Sequence, residues 1–161
     1  MRLKLSFFPS REFLVYWLPP LGFAALILIL SGDLGSSKNT RGLLWWLLSW
    51  LPFIKWSHVV SINAVLRKTL HVAAYGFQYF LWFRAFFGQL GYRQGKSCLW
   101  SLGLCLLLAV VDEGHQFFRS TRTGSPWDVA LNMAGSSLGA FITSLDWISR
   151  SGDRTKEGNP G

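Results

Sequence analysis

The sequence predicts an all-α integral membrane bundle of four transmembrane helices, with one interfacial Trp-rich helix between spans 1 and 2. Three observations carry that expectation. Half of the 161 residues are hydrophobic and only 15% are charged, whereas an ordinary soluble domain has about a quarter charged. Four apolar stretches alternate with polar segments, and a shorter run between the first two concentrates tryptophan. Disorder, collagen and coiled coil are excluded by the same composition. The formal charge of +8 does not indicate nucleic acid, because Lys and Arg stand singly or in pairs between apolar runs and form no basic stripe. It suits membrane-flanking charge instead.

The first span, about residues 13–31, rests on eighteen uncharged residues from Phe13 to Leu30, close to the ~20 helical residues that cross ~30 Å of hydrocarbon. Pro19-Pro20 should kink it. Basic residues precede the run, as in a signal peptide, but its length exceeds a usual signal core and no Ala-x-Ala site follows, so an uncleaved anchor is expected. Residues 1–12 form a cytoplasmic N-terminus on this reading. After a polar stretch from Ser31 to Gly42, Leu43 to Phe53 is too short to span, and its tryptophans suit a helix lying at the headgroup boundary.

Spans 2 to 4 are expected at about 67–88, 97–118 and 127–147. Their uninterrupted apolar cores, Thr69–Phe83, Ser97–Val111 and Val129–Leu145, are short, so flanking polar groups must lie within the bilayer thickness or snorkel out of it. Cys98 and Cys105 are seven apart in the third run, too distant along a helix to bond to each other, and read as small hydrophobes. The domain ends near 148, and the polar segment 149–161 has the composition of a disordered tail.

Orientation follows from the flanking charges. With the N-terminus inside, the cytoplasmic segments carry nine Lys and Arg against seven outside. Three of the outer seven belong to the cluster described next, and setting these aside leaves nine against four. A multi-pass protein with both termini cytoplasmic is expected.

That topology brings one end of spans 2, 3 and 4 to the outer face, where the polar residues concentrate. Lys68, His71 and Tyr75 recur at i, i+3, i+7 on span 2; Asp112, His115, Gln116 and Arg119 share a face of span 3, with Glu113 about 100° away; Asp128 and Asn132 are four apart on span 4. Asp112 is sixteen residues beyond Lys96, roughly 24 Å into the layer, and His71 and Asn132 fall one turn below Lys68 and Asp128. Ionisable groups at that depth are costly in lipid and should face inward and pair. Arg122 and Arg119 in the following loop, with Lys68, could hold a phosphate or carboxylate. Equally, the whole cluster could be a structural clasp for three short helices. Asp112, Glu113, His115 and His71 match no metal spacing, and the nearby cations oppose one, so no metal and no cofactor are expected. No nucleophile or phosphate-loop motif is present. Further along span 4, Gly135 and Gly139 form a G-x-x-x-G that suits close approach by another helix of the same chain.

Lys68-x-x-His71-x-x-x-Tyr75, Asp112-Glu113-x-His115-Gln116, Arg122 and Asp128-x-x-x-Asn132-x-x-Gly135-x-x-x-Gly139 together resemble the VanZ-like family of small bacterial membrane proteins. The likeness covers about 75 residues, from Lys68 to Phe141. It departs from the family pattern where Ser120-Thr121 replaces the Pro-Gly before the motif arginine and where Arg119 adds a second arginine. The resemblance implies a four-helix protein of the bacterial inner (cytoplasmic) membrane, with a namesake in glycopeptide-resistance clusters that lowers susceptibility to teicoplanin. The expected function is binding, at the outer face, of an anionic or amphiphilic molecule: a membrane lipid, a lipid-linked cell-wall precursor or a lipoglycopeptide. Two alternatives stay open: an accessory subunit packed against a larger membrane complex, and an enzyme on lipid headgroups with Asp112 or Glu113 as base and His115 as acid, catalysis being the less supported.

Overall fold

In the computed structural model the chain is all-helical, and no strand occurs among the described residues, 11–32, 36–118 and 124–157, the last twelve as backbone only. Helix α1 (Arg11–Tyr16) and α2 (Leu18–Leu30) are one rod broken at Trp17. Prolines 19 and 20 cannot donate to the carbonyls one turn back, so the break falls just ahead of them, and the buried Gln78 side chain donates to the Pro20 carbonyl at 3.0 Å.

Helix α3 (Ser37–Leu48) begins six residues before the apolar run that suggested it. The signal is polar: the Ser36 hydroxyl accepts from Asn39 N–H at 3.4 Å and the Ser36 carbonyl from Thr40 Oγ1 at 3.0 Å, an N-cap that starts the helix within the supposed loop. Trp46 and Trp50 stay about three-quarters exposed.

Helix α4 (Trp56–Arg84) also starts early, eleven residues ahead of the expected span. No Gly or Pro interrupts 56–66, so the helix propagates backwards at little cost once nucleated. It passes into a π-helical turn, Ala85–Gln89, beside α1. There Trp17 donates to the Gln89 side chain and packs edge-on against Phe86, ring centroids 5.5 Å apart. Helix α5 is Gln94–Phe117 and α6 Pro126–Glu157. Helix α6 thus continues through residues 149–157 of the polar segment, with no proline before Pro160 to interrupt it.

Helix α4 touches α2, α3, α5 and α6, and its contact with α6 is the tightest. A Cβ at Gly135 would meet the Val72 carbonyl oxygen at 2.3 Å, and one at Gly139 the Gly76 carbonyl oxygen at 2.8 Å. The two glycines of the G-x-x-x-G thus lie directly on the α4 backbone, the close approach the sequence suggested. Beneath them Tyr75, Tyr79, Trp82, Cys105 and Ala109 form the core.

Among the described residues one helix, Gln94–Phe117, is long and apolar enough to cross a membrane; Leu18–Leu30 is apolar but shorter. Of the apolar window of α5, 39% is buried inside the fold, and Leu99, Trp100, Leu106, Leu107, Val110 and Val111 are exposed.

Gly135→Ala should separate α4 from α6 and destabilise the fold by about 1–3 kcal/mol, since the obstacle is backbone. Gly103→Ala, with open space around it, should leave thermal unfolding in detergent unchanged.

Candidate functional site

The contact between α4 and α6, with α5 closing the third side, sets a polar layer inside the bundle. Tyr75, Asp112, Asn132 and Ser136 have no exposed surface, and Glu113 and Gln116 almost none. Ser136 Oγ donates at 3.3–3.4 Å to the carbonyls of Asn132 and Tyr75, fixing the level of α6 against α4. The Tyr75 hydroxyl faces the Asp112 carboxylate. Asp112 Oδ1 and Oδ2, Asn132 Oδ1 and Nδ2 and the Tyr75 hydroxyl all lack protein partners, in a setting where buried polar groups are normally paired.

Other members of the layer act as fasteners. Glu113 Oε2 accepts from Ser125 N–H at 3.0 Å, and Ser125 Oγ in turn accepts from Trp127 N–H at 3.2 Å, capping α6 ahead of Pro126. The carboxylate meets the positive end of that helix. Gln116 Nε2 donates to Ser31 Oγ at 2.6 Å, tying α5 to the end of α2. Gly124 belongs to the same joint: a Cβ there would meet the Glu113 carbonyl at 2.3 Å.

Lys68 does not join this layer. It is exposed, and Arg67 turns inward in its place. Asp128 and Glu113 act on the Arg67 guanidinium with attractive charge and Arg41 with repulsive charge, while Arg67 donates to Ser37 Oγ on α3. His115 is likewise exposed and stands off the layer, whereas Glu113, expected off the main face, is buried. The reason is the arc below: Cys105, Leu108 and Ala109 are buried, and at 100° per residue their stripe continues through Asp112, Glu113 and Gln116. Asp128 is half-buried near Arg67. Arg119 and Arg122 lie outside the described residues.

A cavity of about 390 Å³ lies between α2, α3 and α4. Ser31, Thr40, Arg67, His71 and Tyr75 line it together with Phe23, Leu26, Ile27, Leu30, Leu70 and Ala74. Arg67, Arg41, the buried Asn63 and the buried Gln78 were missed by reading the stripe from Lys68. Taken at i, i+4 from Asn63, the polar residues Asn63, Arg67, His71, Tyr75 and Gln78 fall within about 120° of helix surface, a better-filled face than the one starting at Lys68.

A sequence profile of the VanZ/LLP1 family matches residues 6–147, nearly the whole chain. The chain belongs to the VanZ/LLP1 family. No curated protein and no solved structure matches it. The polar positions that carry the family likeness in this VanZ/LLP1 chain thus have two destinations: Asp112, Glu113, Gln116 and Asn132 in the interior layer, and His71 and Tyr75 on the cavity wall. Among the described residues no three His, Cys, Asp or Glu side chains come together to hold a metal.

Glu113→Ala removes the acceptor for Ser125 N–H and should lower stability by about 0.5–2 kcal/mol, read as an earlier thermal transition in detergent. Glu113→Gln keeps an acceptor and should lose less.

Proposed function

We propose that this VanZ/LLP1 protein is a binding protein of the bacterial inner membrane, with four spans and both termini cytoplasmic, that takes an anionic amphiphile into the cavity between α2, α3 and α4 from the outer leaflet. The observation that carries this reading is the cavity's mixed lining. A half-buried guanidinium, a histidine and two small hydroxyl side chains share it with an aliphatic and aromatic wall, the two chemistries that a lipid's head and tail require. Arg67 has given up part of its hydration and donates one hydrogen bond to Ser37, while a guanidinium carries five N–H donors. A phosphate or carboxylate headgroup would use the remainder through charge-assisted bonds.

Membrane placement is supported by family membership, by the outward-facing apolar surface of α5 and by exposed Leu26, Ile29, Leu70, Phe77, Leu107 and Phe141 on four different helices, an apolar exterior that water disfavours. The excess of flanking Lys and Arg on the cytoplasmic side, nine against seven in all, supports the orientation. With a tail in the cavity and a head at Arg67, the ligand class includes lipid-linked cell-wall precursors and lipoglycopeptides, which is where a link to teicoplanin-type resistance would enter. No arrangement of base and nucleophile favours catalysis over binding.

Native mass spectrometry with phosphatidylglycerol tests the proposal. Arg67→Ala should weaken retention about tenfold, the equivalent of one charge-assisted hydrogen bond, while Lys68→Ala on the exposed flank should match wild type. Equal retention by Arg67→Ala and wild type would refute the site.

A further inference from the structure

The amphiphile cavity is served by Arg67, and a second arginine comes to the same place. Arg67 of α4 donates to the Ser37 hydroxyl, and Arg41 of α3 donates from Nε to the Ser37 carbonyl at 2.9 Å. Two guanidiniums from different helices therefore meet on one residue. Both are half-buried, and Thr40, next to Arg41 in the chain, lines the cavity with Arg67. Arg41 acts on Arg67 with repulsive charge, while Asp128 and Glu113 answer Arg67 from α6 and α5. No Asp or Glu occurs from residue 34 to residue 111, so neither α3 nor α4 supplies a carboxylate to Arg41.

A bond from Arg41 to its own helix is ordinary local structure, but it does not account for two like charges gathered on Ser37. Such charges repel, and more strongly where burial has thinned the water between them, until an anion enters and accepts from both. With Nε committed to Ser37, the Arg41 guanidinium keeps four N–H groups on its two terminal nitrogens. Those groups and the remaining donors of Arg67 stand on different helices, so they reach an anion from two directions. A carboxylate presents two coplanar oxygens, which one guanidinium fork fills. Phosphate oxygens point tetrahedrally and can take forks on two sides. We infer that Arg41 is a second headgroup ligand of the cavity and that, with Arg67, it selects a phosphate-headed amphiphile over a carboxylate-headed one. The pair rests on the amphiphile reading of the cavity and narrows its ligand class. Because α3 packs on α4, a phosphate held by both arginines also ties these two walls of the cavity together.

The test is native mass spectrometry of the whole protein in non-ionic detergent at pH 8, where both probe heads are ionised, with dodecyl phosphate and dodecanoate matched in tail and concentration. Wild type should retain dodecyl phosphate about tenfold better, the equivalent of one charge-assisted hydrogen bond. Arg41→Gln keeps a donor for the Ser37 carbonyl and removes the charge; it should hold dodecanoate as wild type does and lose the preference. Should Arg41→Gln fail to fold, Arg41→Met keeps the apolar stem and should lose the preference in the same way. Inorganic phosphate in tenfold excess should not displace dodecyl phosphate; displacement would make the ligand a free phosphate and overturn the headgroup assignment. Equal retention of the two probes by wild type, or a preference unchanged without the Arg41 charge, would overturn the inference and leave the cavity proposal standing on Arg67. Retention of both probes by Arg67→Ala at the wild-type level would remove the cavity proposal, and the role of Arg41 with it.

Discussion

Two glycines of α6 lying on the backbone of α4 are the constraint from which the rest of the molecule follows. With Gly135 at the Val72 carbonyl and Gly139 at the Gly76 carbonyl, the two helices approach so closely that whatever stands beside the contact is sealed from the surroundings. Tyr75, Asn132 and Ser136 stand beside it, and α5 closes the third side with Asp112. Dispersion at such a contact is individually weak, but dense packing makes it additive. The polar layer therefore owes its burial to the residues that have no side chains.

Once sealed, the polar residues divide by their bonding. Glu113 and Gln116 make bonds to Ser125 N–H and Ser31, joining α5 to α6 and to α2. Asp112, the residue before Glu113, and Asn132 are wholly buried, where an unpaired polar group is most costly because water is excluded. The cavity lies on the opposite flank of α4, so one helix serves the α6 contact, the interior layer and the cavity wall.

Much of this was legible in the sequence, and the failures have a common origin. Helix class follows from composition and apolar runs, and the close helix approach at Gly135 and Gly139 from their spacing. Lys68 at i, i+3, i+7 and Arg67 at i, i+4, i+8 are equally helical starting points for the stripe through His71 and Tyr75, and only the polar residues above and below, Asn63 and Gln78, separate them. His115 and Glu113 exchanged roles for a similar reason: the facing direction of α5 is set by Cys105, Leu108 and Ala109, whose apolar character carries no directional label in a run that is apolar all round. Helix starts were placed late at α3 and α4 because apolar runs mark where a helix packs, while Ser36 and the uninterrupted stretch 56–66 decide where it begins. The cavity depends on three helices meeting, and no pattern local to one of them encodes it.

Single-cysteine labelling along α4, in a background with Cys98 and Cys105 replaced by serine, reads the direction of that helix without reference to any ligand. With a small apolar maleimide in detergent, protection is predicted at 75, 78, 79 and 82 and reactivity at 65, 66, 68, 70, 77 and 80, following the buried and exposed faces. Reactivity at 75 and 78, or protection centred on 68, would mean that α4 is rotated away from α5 and α6, and the sealed polar layer would not exist.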